Sequence, residues 1–483
     1  MNKPVEMKFD APNRVLVDGE WIAGNGAAIE VIDKFRLRPG ARFGSADREQ
    51  VARAIDGAQA AFRAGPPNPY ERGAVLQRAA AAIEGHADAF IRTMQMEAGF
   101  TASDGAGEVR RCAETLRLSA EEARRLAGDV IPRAGAPQQS GRLGFTLRVP
   151  LGVVAAITPF NSPLNTVAHK IAPAFAAGNA VVLKPASATP LTACLLAELL
   201  LAAGLPKGFL SLLPGSAPVA DAIIADPRVR FFAFTGSTEV GRSIQSRAGL
   251  RRTQMELGSI ACCILCDDAN LDSALPKVVN AGYRKAGQVC TSIQLLLVHR
   301  KILSRVEEKL ADLVLALRYG DPMDEKTFVG PLISEKEAVR VESWIAEAIA
   351  RGAKCLAGGG ARKGALVPPA LLSGVDESMK LGCEEVFGPV VCVLPFDTLE
   401  QAIARVNSTP YGLATGIFTN RLDDALAAAR RLEVGGVHVN ETSSSRVDLM
   451  PYGGSKDSGF GREGPRYAVH EMTEERIITF TLS

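Results

Sequence analysis

The sequence predicts an α/β protein containing a doubly wound, largely parallel sheet, and three observations lead there. Ala-rich segments studded with Arg and Glu at helical spacing alternate with short Val/Ile/Leu runs through most of the chain. Across residues 152–241 the alternation takes the form of repeated strand-to-helix crossovers, as parallel strands with covering helices require. The length, 483 residues, is too great for one ordinary domain and sufficient for two large ones with an accessory element.

Taken in order, residues 1–12 mix Lys3, Glu6, Lys8 and Asp10 and hold no apolar run of the secretion type. Residues 135–140 are rich in Gly, Pro and Gln and precede an alternating stretch, 142–149, which together read as a projecting hairpin. Residues 152–157 and 180–183 read as buried parallel strands. Thr189 followed by Pro190 suits an N-cap with proline at the first helical position, and Gly204 with Pro206 supplies the stop. The apolar stretch inside that helix, 191–205, is interrupted by Glu198 and too short to span a bilayer, so a buried helix is expected. A strand at 209–213, a Pro-Gly turn, a helix at 218–225 and a strand at 231–235 follow, the last opening into Gly236-Ser237-Thr238. From about Ser259 a second α/β run begins, ending in a Gly-rich loop, 452–464, and a last strand, 476–482. Such a terminal strand is expected to find a partner, a neighbouring subunit being one candidate.

Composition excludes several classes of function. Apolar residues are 47% and charged residues 22%, which suits a globular protein and not a disordered one. Net charge is +2 with Lys and Arg scattered among acids, so no nucleic-acid footprint is present and small molecules are the expected partners. Nine cysteines, an odd count without a leader, fit reduced thiols in the cytoplasm. Cys263 and Cys266 form a Cys-x-x-Cys, but within an apolar run, 261–266, that reads as a buried strand. No second pair and no His-rich cluster accompany them, and no metal is expected.

Three residues could carry chemistry. Cys290, in Gly287-Gln288-Val289-Cys290-Thr291-Ser292, sits among small and polar residues where a thiolate could attack an electrophile. Glu256, in Met255-Glu256-Leu257-Gly258, is an acid wedged among apolar residues and glycine at a strand end. That setting raises a carboxyl pKa toward the range of a general base. Asn161, in Thr158-Pro159-Phe160-Asn161-Ser162-Pro163, follows a strand and could aim its amide N–H at an oxyanion. Read singly, each has a plainer explanation: a packed thiol, a salt-bridged glutamate, a turn asparagine.

Together they resemble a known family. The segments 158–163, Lys184-Pro185-Ala186, Phe234-Thr235-Gly236-Ser237, Glu256-Leu257-Gly258, Gly287-Gln288-Val289-Cys290 and Glu385-Val386-Phe387-Gly388-Pro389 occur in the order found in aldehyde dehydrogenases, with Glu256 and Cys290 34 residues apart. The resemblance implies an aldehyde dehydrogenase-like α/β fold with three parts. These are a Rossmann-type cofactor domain (1–127 and 150–257), an α/β catalytic domain (258–466) and a small β oligomerisation element (128–149 and 467–483). It implies that Cys290 attacks the aldehyde, Asn161 and the Cys290 backbone N–H hold the oxyanion, and Glu256 activates the water that hydrolyses the thioester. The implied cofactor is NAD or NADP. Its contacts would be Ile157, Thr158, Pro159 and Phe160; Lys184, Ala186 and Ser187; Gly236 and Ser237; Leu257; and Glu385 and Phe387 at the nicotinamide ribose. The family binds its dinucleotide without Gly-x-Gly-x-x-Gly, which this sequence also lacks after any strand.

Many NAD-preferring members carry a glutamate where this chain has Ser187. Its loss removes a repulsion, so NADP should be tolerated or preferred. The loop 443–454 resembles the branch containing phosphonoacetaldehyde, sulfoacetaldehyde, lactaldehyde and archaeal-type non-phosphorylating glyceraldehyde-3-phosphate dehydrogenases. There Arg446, and another arginine similar to Arg111, would meet the charged end of a small aldehyde. Val289 and Ser162 replace groups that several phosphate users place there, so a smaller acid-aldehyde or a hydroxyaldehyde fits as well. The resemblance further implies a homodimer or homotetramer. Two alternatives stand beside this reading: a CoA-acylating dehydrogenase, which needs no water-activating Glu256, and a non-catalytic binding or structural relative.

Overall fold

In the computed structural model, which describes residues 14–481, the apolar runs form two large mixed sheets, each with its own core. Residues 1–12 and the end of the expected last strand at Leu482 lie outside the described residues. The first sheet has eight strands in the order Glu20–Ala23, Arg14–Val17, Leu210–Leu212, Ala180–Lys184, Val153–Ile157, Val229–Thr235, Arg252–Glu256, Gly459–Phe460. The five from Leu210–Leu212 to Arg252–Glu256 are parallel, and the three outer ones run antiparallel to their neighbours. Every residue of Val153–Ile157 and Ala180–Lys184 is buried, as continuous apolar runs covered on both faces should be.

Strand order reverses between Val153–Ile157 and Val229–Thr235: the chain builds first to one side, then returns to build on the other. A crevice opens outside the carboxyl ends of strands at such a reversal, and ligands bind there. The second sheet runs Lys354–Ala357, Ala370–Ser373, Val390–Phe396, Ile293–His299, Ala261–Leu265, Ala414–Phe418, Gly436–Val439, parallel except at its first pair. The expected strand at 261–266 is the buried Ala261–Leu265, and all nine cysteines are free. Among the described residues no helix is long and apolar enough to cross a membrane.

One local expectation needs correction and another is met in a particular way. Helix Pro190–Ala202 forms with proline at its start, but Thr189 makes no capping bond and its buried hydroxyl has no partner among the described residues. The cap comes from Glu97, whose carboxylate accepts the Leu191 and Thr192 N–H groups, each at 2.8 Å. A buried carboxylate satisfies two orphan donors and meets the positive end of the helix dipole, which a threonine hydroxyl does less well. The terminal strand, in turn, finds its partner within its own chain: Thr473–Thr481 runs antiparallel to Arg142–Pro150, which also pairs with Val130–Ile131. Before reaching it the chain recrosses the molecule. Gly459–Phe460 completes the edge of the first sheet, and Val469 and Met472 pack into the first core.

Candidate active site

Each parallel strand delivers groups at its carboxyl end. Val153–Ile157 continues as Thr158, Pro159, Phe160 and Asn161; Ala180–Lys184 leads to Ala186 and Ser187; Val229–Thr235 to Gly236 and Ser237; Arg252–Glu256 ends in Glu256 itself, followed by Leu257. The second unit meets them with the amino ends of its strands: Cys290 lies just before Ile293–His299, and Glu385 and Phe387 just before Val390–Phe396. All fifteen of these predicted residues line one cleft of about 840 Å³. A groove of about 880 Å³ beyond helix Ala217–Ala225 holds neither Cys290 nor Glu256, so the chemistry singles out the cleft at the reversal.

The nucleophile candidate sits after a contorted turn. Lys285, Ala286 and Gly287 all take left-handed backbone angles, with φ of 51°, 54° and 71°. For the two non-glycine residues this costs on the order of 1–2 kcal/mol each. The turn is held by Lys285, whose Nζ donates to Glu108 at 2.8 Å and to the Asn161 carbonyl at 3.0 Å and lies over the Phe100 ring. Glycine is required at 287, since a Cβ there would lie 2.0 Å from the Gly388 carbonyl oxygen. The turn and the Glu385–Phe387 loop are thereby pressed together.

Burial pushes the Cys290 thiol up to about 11, while a 2.9 Å hydrogen-bond contact with the Tyr452 hydroxyl pulls the other way. Glu256 is buried, and neither of its carboxylate oxygens has a hydrogen-bond partner among the described residues. Burial, then the negative Glu463 nearby, raises its pKa well above the ordinary carboxyl value. The plainer explanation of Glu256 as a salt-bridged glutamate does not hold, because the carboxylate that is salt-bridged is Glu463, to Lys170 and Arg446, each at 2.8 Å. Gly453 leaves room for this arrangement: a Cβ there would lie 2.9 Å from Glu256 Oε1. Asn161 donates one amide hydrogen to the Gln288 carbonyl at 2.8 Å, which fixes the side chain beside Cys290 and leaves its second N–H.

Farther along the cleft, burial lowers Lys184 to about 8. The Ser187 hydroxyl donates to the Gly215 carbonyl at 2.7 Å, and Ser237 caps helix Thr238–Ala248. Glu385 accepts the Ser259 N–H at 2.8 Å through one oxygen, and burial raises its pKa to about 7. Phe387, at φ 46°, meets Phe160 edge to face. Sequence reasoning missed the apolar wall of this cleft, made by Ala217, Ala220 and Ile224 from one helix and Val240 and Ile244 from another. The i, i+3, i+7 spacing of the first three was the available signal.

Arg111 and Arg446 lie outside that cleft, and both are committed to carboxylates. Arg111 forms a two-pronged pair with Asp448, at 2.7 and 3.2 Å. Arg446 pairs with Glu463 and stacks on the Tyr452 ring, 3.7 Å from its centroid. His169, which received no role from the sequence, hydrogen-bonds Asp448 at 2.8 Å and contacts Arg446 at 3.3 Å, so it joins the two pairs. A third arginine near Cys290, Arg284, six positions before it, forms no hydrogen bond or ion pair with another described residue, although the charges of Asp104 and Glu108 act on it. It lines a pocket of about 190 Å³ with Arg111, and its charge reaches Cys290. A basic residue in the turn before the nucleophile was the signal that would have found it.

Residues 21–478 match the model of the aldehyde dehydrogenase family. The chain is 45% identical over 467 residues to a 3-sulfolactaldehyde dehydrogenase of Priestia aryabhattai, covering 96% of this chain and 97% of that protein. It is 36% identical to a lactaldehyde dehydrogenase of Methanococcus vannielii, over 96% of this chain and 99% of the other. Among solved structures it resembles the glyceraldehyde-3-phosphate dehydrogenase GapN of Methanocaldococcus jannaschii complexed with NADP. There the TM-score is 0.90 and the identity 37%, over 94% of this chain and 99% of that one.

Proposed function

The chain belongs to the aldehyde dehydrogenase family and is an NAD(P)-dependent oxidoreductase, and from that premise we propose that Cys290 is its nucleophile, Glu256 its base and Asn161 an oxyanion donor. The observation that carries this is one cleft holding a thiol on a fixed turn and a buried carboxyl with both oxygens uncommitted. Cys290 adds to the aldehyde carbon while the second Asn161 N–H and the Cys290 backbone N–H take the charge on oxygen. Glu385 and Phe387 would hold a nicotinamide on the Cys290 side of the cleft, where it would supply the hydride acceptor. Glu256 then takes a proton from water as that water attacks the thioester carbonyl, and Cys290 departs as a thiolate. An uncommitted Glu256 favours transfer to water over transfer to CoA.

The cofactor residues fit a dinucleotide on their own chemistry: Glu385 keeps one oxygen free for ribose hydroxyls, and Lys184 and Ser187 stand at the other end of the cleft. No carboxylate occupies position 187, so NADP is accepted along with NAD. The substrate is a small aldehyde with an anionic or hydroxyl group, and Arg284 supports that choice. With Arg111 and Arg446 neutralised by Asp448 and Glu463, Arg284 is the one of these three that forms no ion pair with a described residue and so can meet a charged end. The similar 3-sulfolactaldehyde and lactaldehyde dehydrogenases fit this class. Assembly as a homodimer or homotetramer is supported by the outer sheet, which exposes Leu143, Leu147, Ile477 and Phe480. Nine unpaired thiols suit the cytoplasm.

Initial rates of reduced-nicotinamide formation, with NAD and NADP and without CoA, test this over lactaldehyde, succinate semialdehyde and 3-sulfolactaldehyde. Turnover should vanish in Cys290→Ala. Arg284→Gln should raise KM about tenfold for the two anionic aldehydes and leave lactaldehyde within about twofold. Equal effects on all three would remove Arg284 from substrate recognition.

A further inference from the structure

Beside Cys290 stands a phenol to which no role has been given, and the geometry points to Tyr452 as a further catalytic residue: its hydroxyl donates a hydrogen bond that stabilises the Cys290 thiolate when it forms. This rests on the reading of Cys290 as nucleophile and adds to it the source of the thiolate's stability.

Tyr452 Oη lies 2.9 Å from Cys290 Sγ and is the hydrogen-bond partner that the sulfur has among the described residues. Either atom could donate while the sulfur carries its proton. Once that proton has passed to solvent in the open cleft, the sulfur can only accept, and the phenol must donate. The phenol keeps its proton throughout, because burial raises its pKa well above the ordinary value.

Three features make the donor strong and fixed. Arg446 lies flat against the ring, its guanidinium carbon 3.7 Å from the centroid, and so withdraws charge from the phenol and sharpens the O–H as a donor. Arg446 is held there by Glu463, and the backbone of Tyr452 exchanges two hydrogen bonds with that same residue, Tyr452 N–H to the Glu463 carbonyl at 3.1 Å and the reverse at 2.7 Å. Ring, cation and counter-charge are therefore one clamped unit. Glycines at 453 and 454 follow at once, where a Cβ would strike the Gly461 carbonyl at 2.4 Å and the Ser458 side chain at 2.5 Å, so the segment cannot slide. Such a unit works against burial, which raises the thiol: about 11 is where Cys290 stands with the Tyr452 contact and the Arg446 charge in place, and without them it would stand higher. When the C–S bond forms, the carbonyl π pair moves to oxygen, the sulfur loses its negative charge, and the phenol retains its proton.

The test is the pH profile of Cys290 alkylation by iodoacetamide in the free enzyme, mapped to the cysteine by mass spectrometry. A hydrogen bond to a charged acceptor is worth about one to two pK units. Tyr452→Phe should therefore move the profile upward by that amount and slow alkylation at least about tenfold near pH 8, with kcat lowered and KM for NADP unchanged. Replacing Tyr452 with 3-fluorotyrosine, a more acidic phenol of nearly the same size, should move the profile the other way, which a packing role would not do. A profile unmoved by either replacement, or moved downward by Tyr452→Phe, overturns the proposal. Full turnover by Cys290→Ala would instead remove the nucleophile reading, a result independent of how Tyr452 shifts the thiol.

Discussion

Asp448 shows how much of this site is settled by pairing inside the protein. Burial favours its neutral form, yet hydrogen bonds from His169 and Arg111 outweigh that and hold its pKa below the ordinary 3.8. A carboxylate depressed in the folded state stabilises that state in full above 3.8 and loses the contribution as pH falls below it. Asp448→Asn should accordingly cost about 3 kcal/mol in urea unfolding at pH 7, since it leaves Arg111 without its counter-charge and takes from His169, whose pKa burial lowers, its charged partner. The gap between the two proteins should narrow only below about pH 4; an equal gap at pH 3 and pH 7 would contradict the assignment. Sequence showed Arg111 and Arg446 as candidate anion forks but not their partners, because Asp448 and Glu463 become neighbours of those arginines only through folding. Cys290, Glu256 and Asn161 were legible as candidates because each sits in a run of small, polar or apolar residues next to a strand terminus, where local chemistry and position agree.

At the scale of elements, the parallel strands and the helices between them were legible to within a few residues, since buried runs and proline or glycine punctuation are local signals. The cap on Pro190–Ala202 was not, because Glu97 approaches from another helix. That contact also ties the start of this helix to pH. Burial raises Glu97 to about 7 from an ordinary 4.5, against its hydrogen bonds from Thr192 and Leu191. A carboxyl raised in the folded state binds its proton more tightly there, so stability falls as pH climbs from 4.5 to about 7 and levels off above. The loss amounts to about 3 kcal/mol. Glu97→Gln should flatten that slope in thermal or urea unfolding between those two pH values. A slope as steep as in the unaltered protein would place the titration on another group.

For the whole molecule, the exposed apolar side chains of the outer sheet mark where copies should join. Phe480 stacks on Phe145 at 6.0 Å, on the strand pair Thr473–Thr481 and Arg142–Pro150. Phe480→Asp should shift sedimentation toward the single-chain species while leaving the circular dichroism spectrum intact; an unchanged sedimentation coefficient would put the interface elsewhere. The two-core plan was readable from length and periodicity, whereas the return of residues 459–472 to the first core was hidden, because glycine-rich loops carry no periodic signal. That return has a bearing on the order in which the protein becomes itself during synthesis. Cys290 leaves the ribosome long before Tyr452, Arg446 and Glu463, and the edge strand that seals Glu256 follows in the same late stretch. A chain still short of residue 446 thus carries its thiol without the phenol, the cation or the counter-charge, and residues 446–463 act as an arming step: a fragment that ends before them should reduce no NADP.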